Sequence, residues 1–172
     1  IESDDWGSIR MPSREVKQKL QQAGMMLEND PYSLYDTLAY SDDLQALFEV
    51  LTSVKDKNGN HAVITADTNV ANPDFEKIKA TDYQEYFYEP FTETLKRTQG
   101  SDETFQLWQQ GIDACIFHPQ FHGREHVNVR KWLYDLRENH ANVRLWFELG
   151  SYGTSYLVDT AQSGHYMTAF DL

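Results

Sequence analysis

Apolar and polar positions along the chain switch between two periods. Leu44, Leu47, Phe48, Leu51 and Val54 recur at helical spacing and make one apolar stripe, with Ser41 in front as a predicted N-cap. That stripe gives way to the turn Lys57-Asn58-Gly59-Asn60, and HAVITAD follows as a short, β-branched strand. A second unit of the same kind comes later. Ser101, with acidic residues behind it, predicts the N-cap of a helix over DETFQLWQQG, which stops at Gly111 and feeds the apolar strand IDACIF. Ile1 to Asp5 reads as the end of a buried strand. Ser13 predicts the cap of a helix through Gln22 that closes at Gly24. TETLKR is helix-like, and VNVRKWLYDLREN is amphipathic through Val129, Trp132, Leu133 and Leu136. MLENDPYSLYD and TNVANPD read as loops, and the tail with its Gly-Tyr-Gly and Ser-Tyr turns supports no assignment.

Short buried strands alternating with helices predict a largely parallel α/β sheet with helices outside it, either a barrel or an open sheet. In both, chemistry gathers in the loops after the C-terminal ends of the strands. The length of 172 residues suits one domain with a substantial core. A net charge of −12 without any Lys/Arg cluster argues against a nucleic-acid partner. No run of eighteen apolar residues offers a membrane span. The single Cys115 excludes an intrachain disulfide framework and fits a reducing compartment; within IDACIF it reads as a small buried hydrophobe rather than a nucleophile. The chain begins with Ile inside an apparent strand and ends at MTAFDL, which predicts a fragment of a longer protein. No localisation follows from it.

Two stretches carry candidate chemistry. IESDDWGS places Asp4 and Asp5 side by side before Trp6 and Gly7, and FHPQFHGREHVN spaces His118, His122 and His126 four residues apart. Pro119 assigns His118 to the strand end. His122 and His126 are predicted to share a helical turn beginning near Gly123, where a pair four apart can grip one ion. A catalytic zinc takes three protein ligands and keeps a position for water, so the third ligand is expected from a carboxylate at another strand end. Neighbouring strand residues point opposite ways, but at the turn before Gly7 that alternation relaxes, leaving one Asp to ligate and the other to act as base. Polar loop histidines and an Asx turn with solvated carboxylates are the alternative readings. HGREH also fits the inverted zinc-peptidase pattern H-x-x-E-H with Glu125 as base. That pattern needs a helix continuing through Gly123, at a cost of about 1 kcal/mol. It also needs a downstream Glu, for which Glu138 is too near and Glu148 marginal, and it leaves the Asp pair unexplained.

Together, SDDWG and HGREH resemble the two leading motifs of the polysaccharide deacetylase family of carbohydrate esterases. The wider wording, ESDDWGSIRMPS with FHPQFHGREHVNV, is similar to a bacterial branch of deacetylase-like proteins. The resemblance implies an irregular (β/α) barrel, with residues 1–172 as the N-terminal part of one catalytic domain and roughly the first half of the barrel. It implies a divalent metal, zinc first although manganese, iron or cobalt suit the same atoms, held by Asp5, His122 and His126. Asp4 then becomes the general base, and the reaction is hydrolysis of an acetyl group, N-acetyl ahead of O-acetyl, on a glycan. Gly123 stands where the family carries Ser or Thr. The family's base-positioning Arg and general-acid His have no assigned counterparts, since His140 and His165 lack the apolar flanks. The chain alone is therefore expected to be weak or inactive. His118 is expected to support a ligand from behind or to hydrogen-bond at the strand end; Trp6 to wall the pocket or join the core; Arg10 to meet substrate oxygen or, rather, to be solvated or ion-paired; Asp67 and Asn69 to face the cleft or close a strand-end turn. A non-catalytic carbohydrate-binding descendant of a deacetylase is the remaining alternative.

Overall fold

The computed structural model describes residues 1–25, 27, 34–98, 103–153 and 166. In chain order its elements are β1 (Glu2–Trp6), α1 (Arg14–Gln22), α2 (Ser41–Ser53), β2 (Ile64–Asn69), β3 (Ala71–Pro73), α3 (Phe75–Ala80), β4 (Tyr88–Pro90), α4 (Phe91–Arg97), α5 (Thr104–Asp113), β5 (Phe117–Gly123), α6 (Val129–Arg137) and α7 (Ala141–Glu148). It is a mixed α/β chain. β1, β2 and β5 form a parallel sheet in the order β1-β2-β5, and β3 pairs with β4. The described residues show this three-stranded sheet rather than a closed barrel. No helix among them is long and apolar enough to cross a membrane.

Two compact units divide the chain. The first comprises Ile1–Ser8, Leu38–Asn72 and Pro90–Arg124, and the second Ile9–Thr37, Pro73–Glu89 and Glu125–Leu172. In the first, Leu44 and Leu51 of α2 and Leu107 and Trp108 of α5 pack on Ile64, Ala66 and Phe117 of the sheet. Each such Leu, Ile or Phe side chain, fully buried, contributes about 1.5–3 kcal/mol. Ile64 and Ala66 alternate with the half-buried Thr65 and Asp67 along β2, so one face of the sheet is apolar and the other polar. The second unit holds a core of Ile78, Tyr83, Trp132, Leu136, Val143 and Phe147, and another of Met11, Leu20, Leu27 and Trp146.

Local chemistry explains the elements that the sequence anticipates. Ser13 Oγ accepts from Val16 N–H at the start of α1. At its end Gly24, with φ +84°, lets Met25 N–H reach Leu20 C=O. The predicted α2 stripe holds through Leu51, but Val54 is an extended residue past the helix and 56% exposed. Asp43 accepts from Tyr40 N–H, so the cap is one residue earlier than Ser41. TNVANPD is strand as well as loop, because β2 runs to Asn69 and β3 follows.

The second predicted helix–strand junction needs correction. α5 passes through Gly111 to Asp113 with Ala114 as its C-cap, and Cys115 takes the left-handed conformation with φ +56°. Cys115 N–H then bonds Ile112 C=O and Ile116 N–H bonds Gly111 C=O, the two reversed bonds that close a helix end. Cys115 is therefore an exposed cap, not a buried strand residue, and β5 starts two residues later at Phe117. Gly111 is glycine for closeness, since a β-carbon there would lie 2.5 Å from Phe48 Cζ and 2.8 Å from Phe117 Cβ. Ser101, most of MLENDPYSLYD and most of the tail lie outside the described residues.

Candidate metal centre

Asp4 and Asp5 lie inside β1, and their arrangement depends on a defect in the strand. Ser3 pairs with Ala66 and Trp6 with Thr68, so β1 spends three steps where β2 spends two. The extra residue is a β-bulge, and Asp5 within it has φ +63°, a left-handed conformation that Asp tolerates better than most residues. The bulge resets the alternation. Trp6 returns to the core face, where its ring meets Phe117 at 5.1 Å and Trp108 at 6.0 Å, while the Asp5 carboxylate reaches the polar face and Asn69. Relaxation of the alternation was expected at the turn before Gly7; it occurs within the strand.

A second bulge faces the first across β2. Thr68 pairs with Phe121 and Asn69 with Gly123, which leaves His122 as the added residue of β5. The two irregularities bring His122 Nε2 to 3.8 Å from Asp5 Oδ1, with side chains 32% and 18% exposed. The predicted helical turn across His122 and His126 does not form. His122 and Gly123 are extended, and His126 sits in the following loop. The same observation removes the helix that the H-x-x-E-H pattern requires. His126 nevertheless takes part: one ligand atom each from Asp5, His122 and His126 lie within 4.8 Å of one another. It follows His122 by four residues, so the chain alone keeps the two backbones within roughly 14 Å.

The donor set fits a divalent cation. Two imidazoles and a carboxylate match a catalytic zinc site with a position left for water, and bond lengths near 2.1 Å set tetrahedral ligand atoms roughly 3.4 Å apart. Closing the 3.8 Å Asp5–His122 separation takes about 0.4 Å, within side-chain adjustment.

The remaining predicted residues fall in different places. Asp4 is exposed beside Asp5 in β1. Asn69 is wholly buried, and its Nδ2 donates to Asp5 Oδ1 at 3.1 Å and to Ser8 Oγ at 2.9 Å. Asp67 is half-buried on the same face of β2, roughly 7 Å further down the strand. His118 is exposed, roughly 13 Å along β5 from His122, too far to support that ligand. Trp6 belongs to the aromatic core, with Nε1 donating to Ser3 Oγ. Arg10 does not present its charge to a substrate. It is 2% exposed, donates from Nη1 to Asp36 Oδ2 at 2.5 Å and from Nε to the Tyr152 hydroxyl at 3.2 Å. Sequence reasoning missed Ser8 and Asn72. Asn72 Nδ2 donates to Gly7 C=O at 2.9 Å and to Thr94 Oγ1, which holds the turn after the Asp pair. Gly7 itself has φ +84°, and a β-carbon there would meet Asn69 C=O at 2.4 Å. Only the short polar side chain of Asn72, within the apolar-flanked β3, could have signalled it.

No protein-family model, curated protein or solved structure matches the chain.

Proposed function

We propose that this chain is the leading part of a metal-dependent deacetylase, hydrolysing acetyl groups, N-acetyl ahead of O-acetyl, on a glycan. On this reading the parallel sheet is part of an irregular (β/α) barrel. The observation that carries the proposal is the convergence of Asp5, His122 and His126 from two strand ends and the adjoining loop, with a second carboxylate, Asp4, next to the first. These four residues, in this chain order, resemble the deacetylase motif pattern.

Asp5, His122 and His126 would hold the cation, zinc in first place. Bound there, zinc supplies Lewis acidity that makes water a better nucleophile and the acetyl carbonyl a better electrophile. Asp4 is exposed and one residue from the ligand, so its carboxylate takes the proton of the attacking water as the new C–O bond forms. The C–N bond then breaks as the nitrogen takes the proton that Asp4 has accepted, releasing acetic acid and the amino sugar. Asp67, on the same sheet face, offers its carboxylate to a sugar hydroxyl.

The division of labour between the two acids is the testable core. In the full-length protein, Asp4→Asn should abolish acetate release while metal stays bound, and Asp5→Asn should lower the metal content itself. Acetate release that survives Asp4→Asn, or loss of metal in both variants alike, would refute it. A purely carbohydrate-binding descendant would retain glycan affinity and release no acetate in any variant.

A further inference from the structure

Asn69 occupies a position that neither a solvent-facing turn residue nor an ordinary core residue needs. It is the last residue of the central strand β2 and its side chain has no solvent exposure. Both of its amide hydrogens are committed, one to Asp5 Oδ1 at 3.1 Å and one to Ser8 Oγ at 2.9 Å. A carboxylate can only accept, so the contact with Asp5 fixes which way the amide faces. Its Oδ1 is left buried without a hydrogen-bond partner among the described residues. That oxygen is directed at Gly123, where a β-carbon would stand 3.4 Å away. A buried acceptor with no partner is costly, so the orientation is kept for what the amide hydrogens do.

We infer that Asn69 is the positioning residue of the metal centre, holding Asp5 Oδ1 at the His122 side. This rests on the metal-site reading and deepens it. Asp5 lies in a left-handed bulge, a backbone conformation that does not by itself settle where its carboxylate points. The rigid central strand supplies the missing constraint through one hydrogen bond, the role that outer partners of metal ligands perform. Ser8, directly after the turn at Gly7, completes the fixture by anchoring the other amide hydrogen.

The test is zinc affinity, measured by competition with a chromophoric chelator on the 172-residue chain, with apo melting temperature as a check on folding. Asn69→Ala should weaken zinc binding by about 10–100-fold. Asn69→Asp keeps the volume and lets the Ser8 hydroxyl donate to it, but sets a carboxylate against Asp5, and should weaken binding at least as much. In an Asp5→Ala background, where the contact is already gone, Asn69→Ala should change zinc affinity by less than about twofold. An equal loss in both backgrounds would mean that Asn69 acts through general packing and would overturn the inference, as would unchanged affinity in the single variants. A wild-type chain that binds no zinc would overturn the metal reading itself, and the inference with it.

Discussion

Replacing Gly111 with Ala sets two effects of opposite sign against each other inside one helix. Gly111 lies in α5 with ordinary helical backbone, so adding a methyl group should gain about 1 kcal/mol of helix propensity. Against that, the new β-carbon would stand 2.5 Å from Phe48 Cζ, 3.1 Å from Phe48 Cε1 and 2.8 Å from Phe117 Cβ. Phe48 is only partly buried and its ring can swing aside, losing the edge contact it makes with Phe117 at 5.8 Å. Such a ring pair contributes about 0.5–1.5 kcal/mol. Phe117 Cβ cannot swing, because it is fixed to the fully buried start of β5, so α5 itself must move away from the sheet. Overpacking of this kind costs about 1–3 kcal/mol, and with two contacts under 3.0 Å the upper end applies. The net expectation is destabilisation by about 2 kcal/mol, the overpacking cost outweighing the propensity gain. Urea unfolding followed by tryptophan fluorescence is a suitable assay, since Trp108 packs edge-on against Phe117 at 5.1 Å. With a slope of about 2 kcal/mol/M, the midpoint should fall by about 1 M. A Gly111→Ala chain as stable as the parent, or more stable, would show that propensity wins and that α5 lies less tightly on the sheet than these distances imply.

Two other perturbations probe the second unit. Arg10→Ala removes one partner of an ion pair whose Arg side chain is 1% exposed and whose Asp36 side chain is 21% exposed, and should cost about 3 kcal/mol in urea unfolding; a change under about 0.5 kcal/mol would contradict the buried pairing. Burial, and then the hydrogen bond to Asp135, push the Tyr166 hydroxyl well above its usual range. The folded state thus keeps that proton where the unfolded chain gives it up, so this contribution is complete below about pH 10 and is lost as pH rises above it. Tyr166→Phe should flatten the fall in stability between about pH 9 and 11; an unchanged slope would mean that Tyr166 is not the group responsible.

Much of this protein is legible in its sequence, and the parts that are not have a common cause. The α2 stripe as far as Leu51, the Ser13 cap and the Gly24 stop are local signals, and the structure carries them out with the expected atoms. Asp5, His122 and His126 come together as their residue types suggested. The means of bringing them together was misread, because alternation and helical spacing assume that no residue is added to a ladder. Here β1 and β5 each carry one extra residue, and those bulges aim Asp5 and His122. Bulges are set by pairing between strands distant in sequence, so neither stretch reveals its own. The end of α5 failed for a related reason. Cys115 adopts the left-handed conformation usually given to glycine, while the nearby Gly111 is there to admit Phe48 and Phe117. Arg10 admitted both a substrate contact and an ion pair, and the structure forms the pair; its partners could not be named because nothing local shows Asp36 and Tyr152, 26 and 142 residues away.

Everything proposed for this chain depends on Asp5, His122 and His126 holding one divalent ion. Elemental analysis of the protein purified without chelator measures that most directly, on the parent chain and on Asp5→Asn, His122→Ala, His126→Ala and His118→Ala. The parent and His118→Ala should carry about one zinc or similar ion per chain, and the other three should carry little. A parent chain as metal-poor as its three ligand variants, or a His118→Ala chain as depleted as His122→Ala, would contradict it.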